Sequence, residues 1–537
     1  MKRDRVGGKH NTVAKRGVIL SLVLVIALAF SGLVPAGTAI TEYAAGAGGE
    51  KAAVLTPGAS AVYADENEEN LSDEEKERRE FLDKIYNIPV ASNRVKGWPK
   101  AAGTYGEAAC VMDMETGAFL YNKKMLKHLY PASITKIMTA YCAIKYGDLK
   151  GKVQFYPEDI SFLEPGDASI GMKPGEIMPM KDSMYAMLLQ SANEVSHAII
   201  RTVGRKVRKD GKIKVPGAPK KAENEQELDY QWGIAIMNWE AGMLGCTNSH
   251  FTNANGLHNK NHYVCAHDMC LIGAAAYQYQ YFRKVTQTLY YTIPQYEQYR
   301  YVDKKTGKEI SRKKYRKLKK SKNRTKLKSI KRIKTGLFTV APRGFSQYHK
   351  MLYPNSPYYY EACTGGKTGF TDQAGTTLVT FAEKNGRKLV CTCLHTYGAE
   401  NVYNDTRNLL EYGFNKFKVM ELSPDEITKV ANSKKNKKKL SKQGIARKVT
   451  MIDTDKVRLT VPKKTKLNKI TSTTQYDFSN FSLSSGQLKF VVGNMTVGSI
   501  GVHFESLSAS VKNALNRARE AKNRRESGEN LAPANRD

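Results

Sequence analysis

The sequence is short of acid. Its 85 lysines and arginines face 51 aspartates and glutamates, a formal net charge of +34. The shortage is local: residues 304–334 hold 17 Lys/Arg and one acid, Glu309, so nearly half of the excess sits in one stretch. That stretch is also poor in aromatics, with Tyr315 alone among its leucines and lysines. It offers no platform for stacking bases, and nucleic acid is not an expected partner. Two readings of it remain: a solvated or disordered arm, or a segment attracted to anionic wall polymer or lipid headgroups. Cysteine is present without pattern. The eight residues between Cys110 and Cys393 include no Cys-x-x-Cys pair and no zinc spacing, so neither a metal centre nor a disulfide framework is expected. They read as buried thiols. His250, His258, His262 and His267 cluster, again without a zinc pattern. No cofactor is implied.

What is present suits two or three globular domains: 537 residues, 41% hydrophobic and 25% charged. Lys2, Arg3, Arg5, Lys9, Lys15 and Arg16 precede an apolar run from Val18 to Val34, then small residues at Ala36–Ala39. Residues 1–39 thus read as a cleaved signal or a retained anchor, and either places the rest outside the cytoplasm. Residues 40–86 read as an acidic linker and a short helix, opened by the capping box Ser72-Asp73-Glu74-Glu75. Residues 87–420 carry the motifs, with basic insertions at 201–221, expected as an exposed loop, and at 304–334. Residues 421–506 change to short strands between turns, a small antiparallel β domain. Residues 507–537 form a basic tail whose helix has a thin apolar stripe.

Chemistry centres on Tyr130-Pro131-Ala132-Ser133-Ile134-Thr135-Lys136. Proline suits a first helical turn, and Ile134, Ile137, Met138, Tyr141 and Ile144 recur at helical spacing. On that helix Ser133 and Lys136 share one face. A serine hydroxyl needs a base, and a lysine held neutral by its surroundings can be one. Alone this is weak. Ser-x-x-Lys should occur about twice by chance in a chain this long, and it recurs at Ser311. Ser191 and Asn193 fall between two helical runs, where a turn or cap is the plain reading. Lys-Thr-Gly occurs at Lys305, Lys334 and Lys367. The Lys367 copy alone opens onto a strand hairpin, Thr376–Ala382 and Lys388–Leu394, with glycines before it; those glycines let a ligand backbone approach.

The order Ser133-x-x-Lys136, Ser191-x-Asn193, Lys367-Thr368-Gly369 is that of penicillin-binding proteins and serine β-lactamases. With Asp113–Gly117, Asn255-Gly256-Leu257 and Gly366–Thr371, five blocks between Ala108 and Phe417 resemble the serine D-alanyl-D-alanine carboxypeptidases, the low-molecular-mass penicillin-binding proteins. Cys265 departs from the pattern, standing where a small hydroxyl residue is expected. The resemblance implies an α+β transpeptidase-like fold, an antiparallel sheet flanked by helices, and a second β domain. It implies peptidoglycan stem peptides as substrate and β-lactam antibiotics as inhibitors. It gives Ser133 the role of nucleophile and Lys136 that of base. Ser191 relays a proton, and Asn193 orients the substrate amide and the lysine. Lys367 and Thr368 bind the substrate carboxylate, beside Gly369. The backbone N–H groups of Ser133 and Phe370 form an oxyanion hole. Two rival readings are a β-lactamase and a non-enzymatic cationic wall-binding protein. One class of β-lactamase uses a Glu-x-x-x-Asn block to deacylate; none lies between Asn193 and Lys367.

Overall fold

Ala108, Cys110 and Met112 face one side of strand Gly106–Asp113; Ala109 and Val111 face the other, and all five are buried. A strand apolar on both faces belongs inside a sheet covered on both sides. The computed structural model, which describes residues 72–293, 299–321, 324–334, 343–433, 449–452, 456–476 and 485–504, places it so. The sheet has five strands, in the order Cys363–Thr371, Gly375–Lys384, Arg387–Thr396, Gly106–Asp113, Phe119–Lys123. Every neighbouring pair is antiparallel. One face packs on helices Lys136–Tyr146, Met180–Leu189, Asn193–Asp210, Glu225–Met243 and Ala266–Tyr277. The other packs on helix Ala399–Lys416 and on apolar residues of later strands, among them Leu459, Val461, Leu488 and Phe490. The antiparallel sheet flanked by helices expected from the sequence is therefore present. The expected hairpin turn joins its fourth and fifth strands in chain order and is of type I′, with Asn385 and Gly386 at φ 53° and 74°.

After the helices come Phe417–Leu422 paired with Val457–Pro462, and a four-stranded sheet ordered Val449–Ile452, Met495–Phe504, Ser485–Val492, Thr471–Tyr476. The one helix described among them, Pro424–Ala431, is short and carries a Ser423–Glu426 capping box. Trp98 ties these strands to the first sheet: its indole N–H donates to the Leu120 carbonyl at 2.8 Å and its ring lies 5.1 Å from that of Phe417. The capping box at Ser72 opens helix Asp73–Tyr86 as expected. The cationic and apolar N-terminus, the acidic linker up to residue 71 and the basic helix expected after Leu507 lie outside the described residues. Among the described residues no helix is long and apolar enough to cross a membrane.

Two expectations are corrected. Residues 201–210 are not an exposed loop but the last turns of helix Asn193–Asp210, which ends at Gly211 with φ 61°. Arg201 is buried, and its Nε and Nη2 each donate to the Asp159 carboxylate at 2.8 Å, an ion pair that His197 Nδ1 joins at 2.8 Å. A planar guanidinium matched to a carboxylate fork can be buried where a run of lysines cannot. The 304–334 segment is solvated but folded. Strands Tyr299–Asp303, Glu309–Ile310 and Ile330–Lys334 form a sheet, and helix Arg312–Lys320 packs on it through the Tyr301–Tyr315 ring stack at 3.9 Å. Tyr315 and Leu318 are half-buried, while Lys313, Lys314, Arg316, Lys317, Lys319 and Lys320 are exposed. The helix also lies against helix Arg324–Lys328, and its residues other than Tyr315 and Leu318 are cations.

This basic module leaves and re-enters the chain between strands Tyr290–Ile293 and Arg343–Ser346, which pair with Ile293 opposite Arg343. That hairpin is fixed to the helical side. Tyr291 stacks on Tyr185 at 3.7 Å, the Gln190 amide donates to the Ser346 carbonyl at 3.0 Å, and Arg343 donates to the Gly171 carbonyl at 2.9 Å.

Trp98→Ala should cost about 3–5 kcal/mol of stability, the range for emptying a buried tryptophan site. The urea midpoint measures it; an unchanged midpoint would mean that the two sheets do not depend on this contact.

Candidate functional site

The serine does not sit in a regular helix from Pro131 as its spacing suggests. Residues Ala132–Thr135 form a 3₁₀ turn, and the α-helix begins at Lys136. Ala132 has φ 50°, a left-handed conformation that a residue with a Cβ adopts at a cost and that clusters at functional sites. The turn is held from three sides. Thr377 Oγ1 donates to the Pro131 carbonyl at 2.8 Å, Thr135 Oγ1 donates to the Ala132 carbonyl at 2.9 Å, and Gly256 lies so close that an added Cβ would collide with that same carbonyl oxygen.

Lys136 is fully buried, and its Nζ has three neighbours: Ser133 Oγ at 2.9 Å, Asn193 Oδ1 at 2.8 Å and the Asn255 carbonyl at 2.6 Å. Two of these are carbonyl oxygens and can only accept. A neutral amine has two hydrogens and one lone pair. With both hydrogens committed to Asn193 and Asn255, the lone pair is left for the Ser133 hydroxyl. The electrostatics favour that neutral form. Burial holds the Lys136 amine well below the usual lysine range, and the charge of Lys367 adds to the depression. Ser133 Oγ also lies 3.5 Å from the Asn255 carbonyl.

Asn193 opens its helix, with its backbone N–H donating to Ala168 at 2.7 Å. The neighbouring Glu194 carboxylate holds the same loop through Ser169 Oγ and the Ile170 N–H, both at 2.8 Å. Ser191 sits in the turn between helices Met180–Leu189 and Asn193–Asp210 with φ 59°. It is 5% exposed, and its Oγ has no hydrogen-bond partner among the described residues. A buried hydroxyl left unpaired on a strained backbone costs stability, and in native proteins it marks a chemical role more often than an accident.

Lys367-Thr368-Gly369 lies on the edge strand itself, not in a loop before it. Lys367 is 1% exposed; its Nζ donates to the Thr368 carbonyl at 2.7 Å, and burial pulls its pKa down to about 7. Gly369 is where the strand meets the Ser133 turn. A Cβ there would stand 2.8 Å from the Ser133 backbone nitrogen and 3.1 Å from that of Ile134. Thr368 is half-buried and Phe370 is 66% exposed beside it. The other copies of the motif sit elsewhere. Lys305-Thr306-Gly307 is a tight turn: Asp303 Oδ1 accepts from the Lys305 and Thr306 N–H groups, and Gly307 has φ 67°. Lys334 ends the last strand of the basic module. Ser311, the second Ser-x-x-Lys, caps helix Arg312–Lys320 by accepting from the Lys314 N–H at 3.3 Å.

The structure thus gathers Ser133, Lys136, Asn193 and Gly369 at one point, with Lys367 close enough to act on the Lys136 amine. Sequence reasoning missed the Asn255 carbonyl, the second acceptor for Lys136, because a backbone oxygen leaves no residue-type signal. Its only trace was the Asn255-Gly256-Leu257 block. Cys265 keeps the capping task of the hydroxyl it replaces: its Sγ accepts from the Asp268 N–H at 3.4 Å at the start of helix Ala266–Tyr277. Cys265, His267 and Asp268 bring potential ligand atoms within 4.8 Å of one another. Their donors are engaged in that cap: the Asp268 carboxylate takes the Asn248 N–H, Ser249 Oγ and His267 Nδ1. All eight cysteines are free thiols, seven of them buried.

Comparison with known proteins agrees with these motifs. The family model of D-alanyl-D-alanine carboxypeptidases matches residues 99–206 and 230–336. Over those two segments, about two fifths of its length, the chain is similar to the D-alanyl-D-alanine carboxypeptidases. The match ends on the Lys334 copy of Lys-Thr-Gly, whereas the copy that touches Ser133 is that of Lys367, beyond the basic module. D-alanyl-D-alanine carboxypeptidase DacF of Bacillus subtilis is 28% identical over 185 residues, 34% of this chain. The chain spans about two fifths, 41%, of the length of that relative. The D-alanyl-D-alanine carboxypeptidase of Streptomyces sp. strain K15 is 22% identical over 60% of this chain and 94% of its own. The crystal structure of the Streptomyces K15 DD-transpeptidase covers 59% of this chain and 99% of its own, at 19% identity and a TM-score of 0.43.

Gly369→Ala should leave the protein folded by circular dichroism but slow its labelling by fluorescent penicillin roughly 100-fold, because displacing the nucleophile by about 1 Å is enough. Wild-type labelling would mean that the strand has room to retreat and that the close approach carries no function.

Proposed function

We propose that the protein is a serine D-alanyl-D-alanine carboxypeptidase that removes the terminal D-alanine from peptidoglycan stem peptides. The observation that carries this reading is the Lys136 amine, buried, with its two hydrogens committed to carbonyl oxygens and 2.9 Å from Ser133 Oγ. Lys136 takes the Ser133 proton as Oγ attacks the carbonyl between two D-alanines. The backbone N–H groups of Ser133 and Phe370 stabilise the oxyanion as it forms. Lys367 and Thr368 hold the carboxylate of the terminal D-alanine. Ser191, its hydroxyl unengaged, passes a proton to the leaving amine. Water then attacks the acyl-serine and frees the shortened peptide. A β-lactam acylates Ser133 by the same route, and Asn193 orients both Lys136 and the substrate amide. Residues 87–420 form the catalytic unit, and the β-rich residues from 421 to 506 a second domain. The motif set argues against a wall-binding protein without activity, and the missing Glu-x-x-x-Asn block against rapid β-lactam turnover.

The chain works outside the cytoplasm, at the outer face of the membrane or in the wall. There the basic module contacts an anionic wall polymer. Its helix turns Tyr315 and Leu318 inward and presents cations outward, which suits a solvated polyanion better than insertion among lipid tails.

Ser133→Ala should abolish both penicillin labelling and D-alanine release. Lys136→Arg, which keeps the charge but cannot shed a proton, should lose nearly as much. Lys367→Ala removes a positive neighbour, so the Lys136 pKa rises and residual acylation should need higher pH. Lys334→Ala should behave as wild type. If instead Lys334→Ala is inert and Lys367→Ala is not, the site must be redrawn around the other motif.

Changing Lys313, Lys314, Lys317, Lys319 and Lys320 together to Gln should spare hydrolysis of a small peptide ending in D-Ala-D-Ala. It should weaken sedimentation with isolated cell walls at low salt, and the difference should shrink as salt screens the interaction. Equal wall binding at low salt would refute the role of the module.

A further inference from the structure

One histidine of the unassigned cluster is built into the frame of the nucleophile. His262 is 1% exposed. Its Nδ1 faces the backbone N–H groups of Thr252 at 3.1 Å and Asn253 at 3.3 Å, with Thr252 Oγ1 at 3.3 Å. Its Nε2 lies 2.9 Å from Thr135 Oγ1. The two ends of the ring fix one tautomer independently. Backbone N–H groups only donate, so Nδ1 accepts. The Thr135 hydroxyl hydrogen is committed to the Ala132 carbonyl at 2.9 Å, so Nε2 carries the ring proton and donates to Thr135. An imidazolium would point a second N–H at two donors. Burial accordingly pushes the pKa of His262 down to about 3.

The ring therefore joins two pieces of the site. On one side is the strained Ala132 peptide that sets the direction of Ser133. On the other is the 250–264 loop, closed by the His250–Tyr263 bridge. Within that loop Asn253 Oδ1 accepts from the Gly256 N–H at 2.7 Å and Asn253 Nδ2 donates to Leu257 at 2.9 Å. The same loop delivers the Asn255 carbonyl to Lys136 and seats Gly256 under the Ala132 carbonyl. His262 and Thr135 hydrogen-bond to neither Ser133 Oγ nor Lys136 Nζ; they act through Ala132 and Asn255.

We propose that His262, through Thr135, is a positioning residue that holds the Ser133 turn and the Asn255 carbonyl in the one register that leaves the Lys136 lone pair facing the serine. This rests on Ser133 being the acylated serine. The test uses the full chain, fluorescent penicillin as probe, and the variants Thr135→Val, Thr135→Ser, His262→Asn and the Thr135→Val/His262→Asn double. Asn keeps an acceptor near the place of Nδ1 and loses the donor at Nε2. Each protein is first titrated for labelled sites per chain; the acylation rate is then read per labelled site.

Expected are near-complete titres throughout and rates per site about 10- to 100-fold lower in Thr135→Val and His262→Asn. Thr135→Ser, which keeps the hydroxyl, should stay within about threefold of wild type, and the double should be no worse than the worse single by more than about threefold, since both break one chain of bonds. Unchanged rates per site in the single variants overturn the proposal, as do reduced titres at normal rates, which would make the ring a matter of stability alone. Fully multiplicative losses in the double also overturn it. If His262→Asn does not fold, Thr135→Val against Thr135→Ser decides. An unlabelled wild-type protein would instead strike the acyl-serine reading itself.

Discussion

Everything in this site depends on the burial of one lysine. An ammonium taken out of water without an anion beside it is costly, and Lys136 has none within hydrogen-bond reach among the described residues. The protein answers by letting the group be neutral and by giving its hydrogens two amide oxygens from two distant parts of the chain. Asn193 comes from a helix start, Asn255 from a loop held by its own side chains. Each segment must be in place before the amine is satisfied, so an amine that is excluded from water also enforces the assembly that excludes it.

Close approach is the second requirement. Helix, loop and edge strand meet around Ser133 at distances that leave no room for side chains, so Gly256 and Gly369 stand where they meet. Backbone strain falls beside Ser133, at Ala132, and on a second motif residue, Ser191. These two are small residues in a conformation that glycine would hold more easily. The cost of that strain is compatible with a rigid surrounding sheet, buried on both faces, that leaves the backbone no cheaper path.

Much of this was legible. The small-residue, apolar run Ala108–Met114 reads as a strand, Lys384–Arg387 as a hairpin turn, and Ser72 and Glu75 as a cap, and the structure has all three. The failures share a cause. Arg201 was read with its basic neighbours as exposed because composition cannot see Asp159, 42 residues earlier in the sequence. The basic module was read as an arm because its helix has only Tyr315 and Leu318 among cations, too sparse a pattern for periodicity to register. Lys305-Thr306-Gly307 illustrates the converse. Asp303 to Gly307 makes the same bonds as Asp113 to Gly117, where Asp113 Oδ1 accepts from the Glu115 and Thr116 N–H groups. One short string can be a turn in one place and part of a site in another, and only the surroundings decide.

The pairing of Ile293 with Arg343 fixes the two ends of the basic module about one strand spacing apart, ~5 Å. To the rest of the fold, that module is a hairpin connection whose length is nearly immaterial, since the entropy of closing a loop grows only with the logarithm of its length. The hairpin is therefore a graft point. Relatives of this chain could carry a short turn there, or an unrelated module, without any residue around Ser133 having to change. Variation in the module and preservation of the geometry around Ser133 are thereby separated along the sequence, at a site where two strand ends already stand side by side.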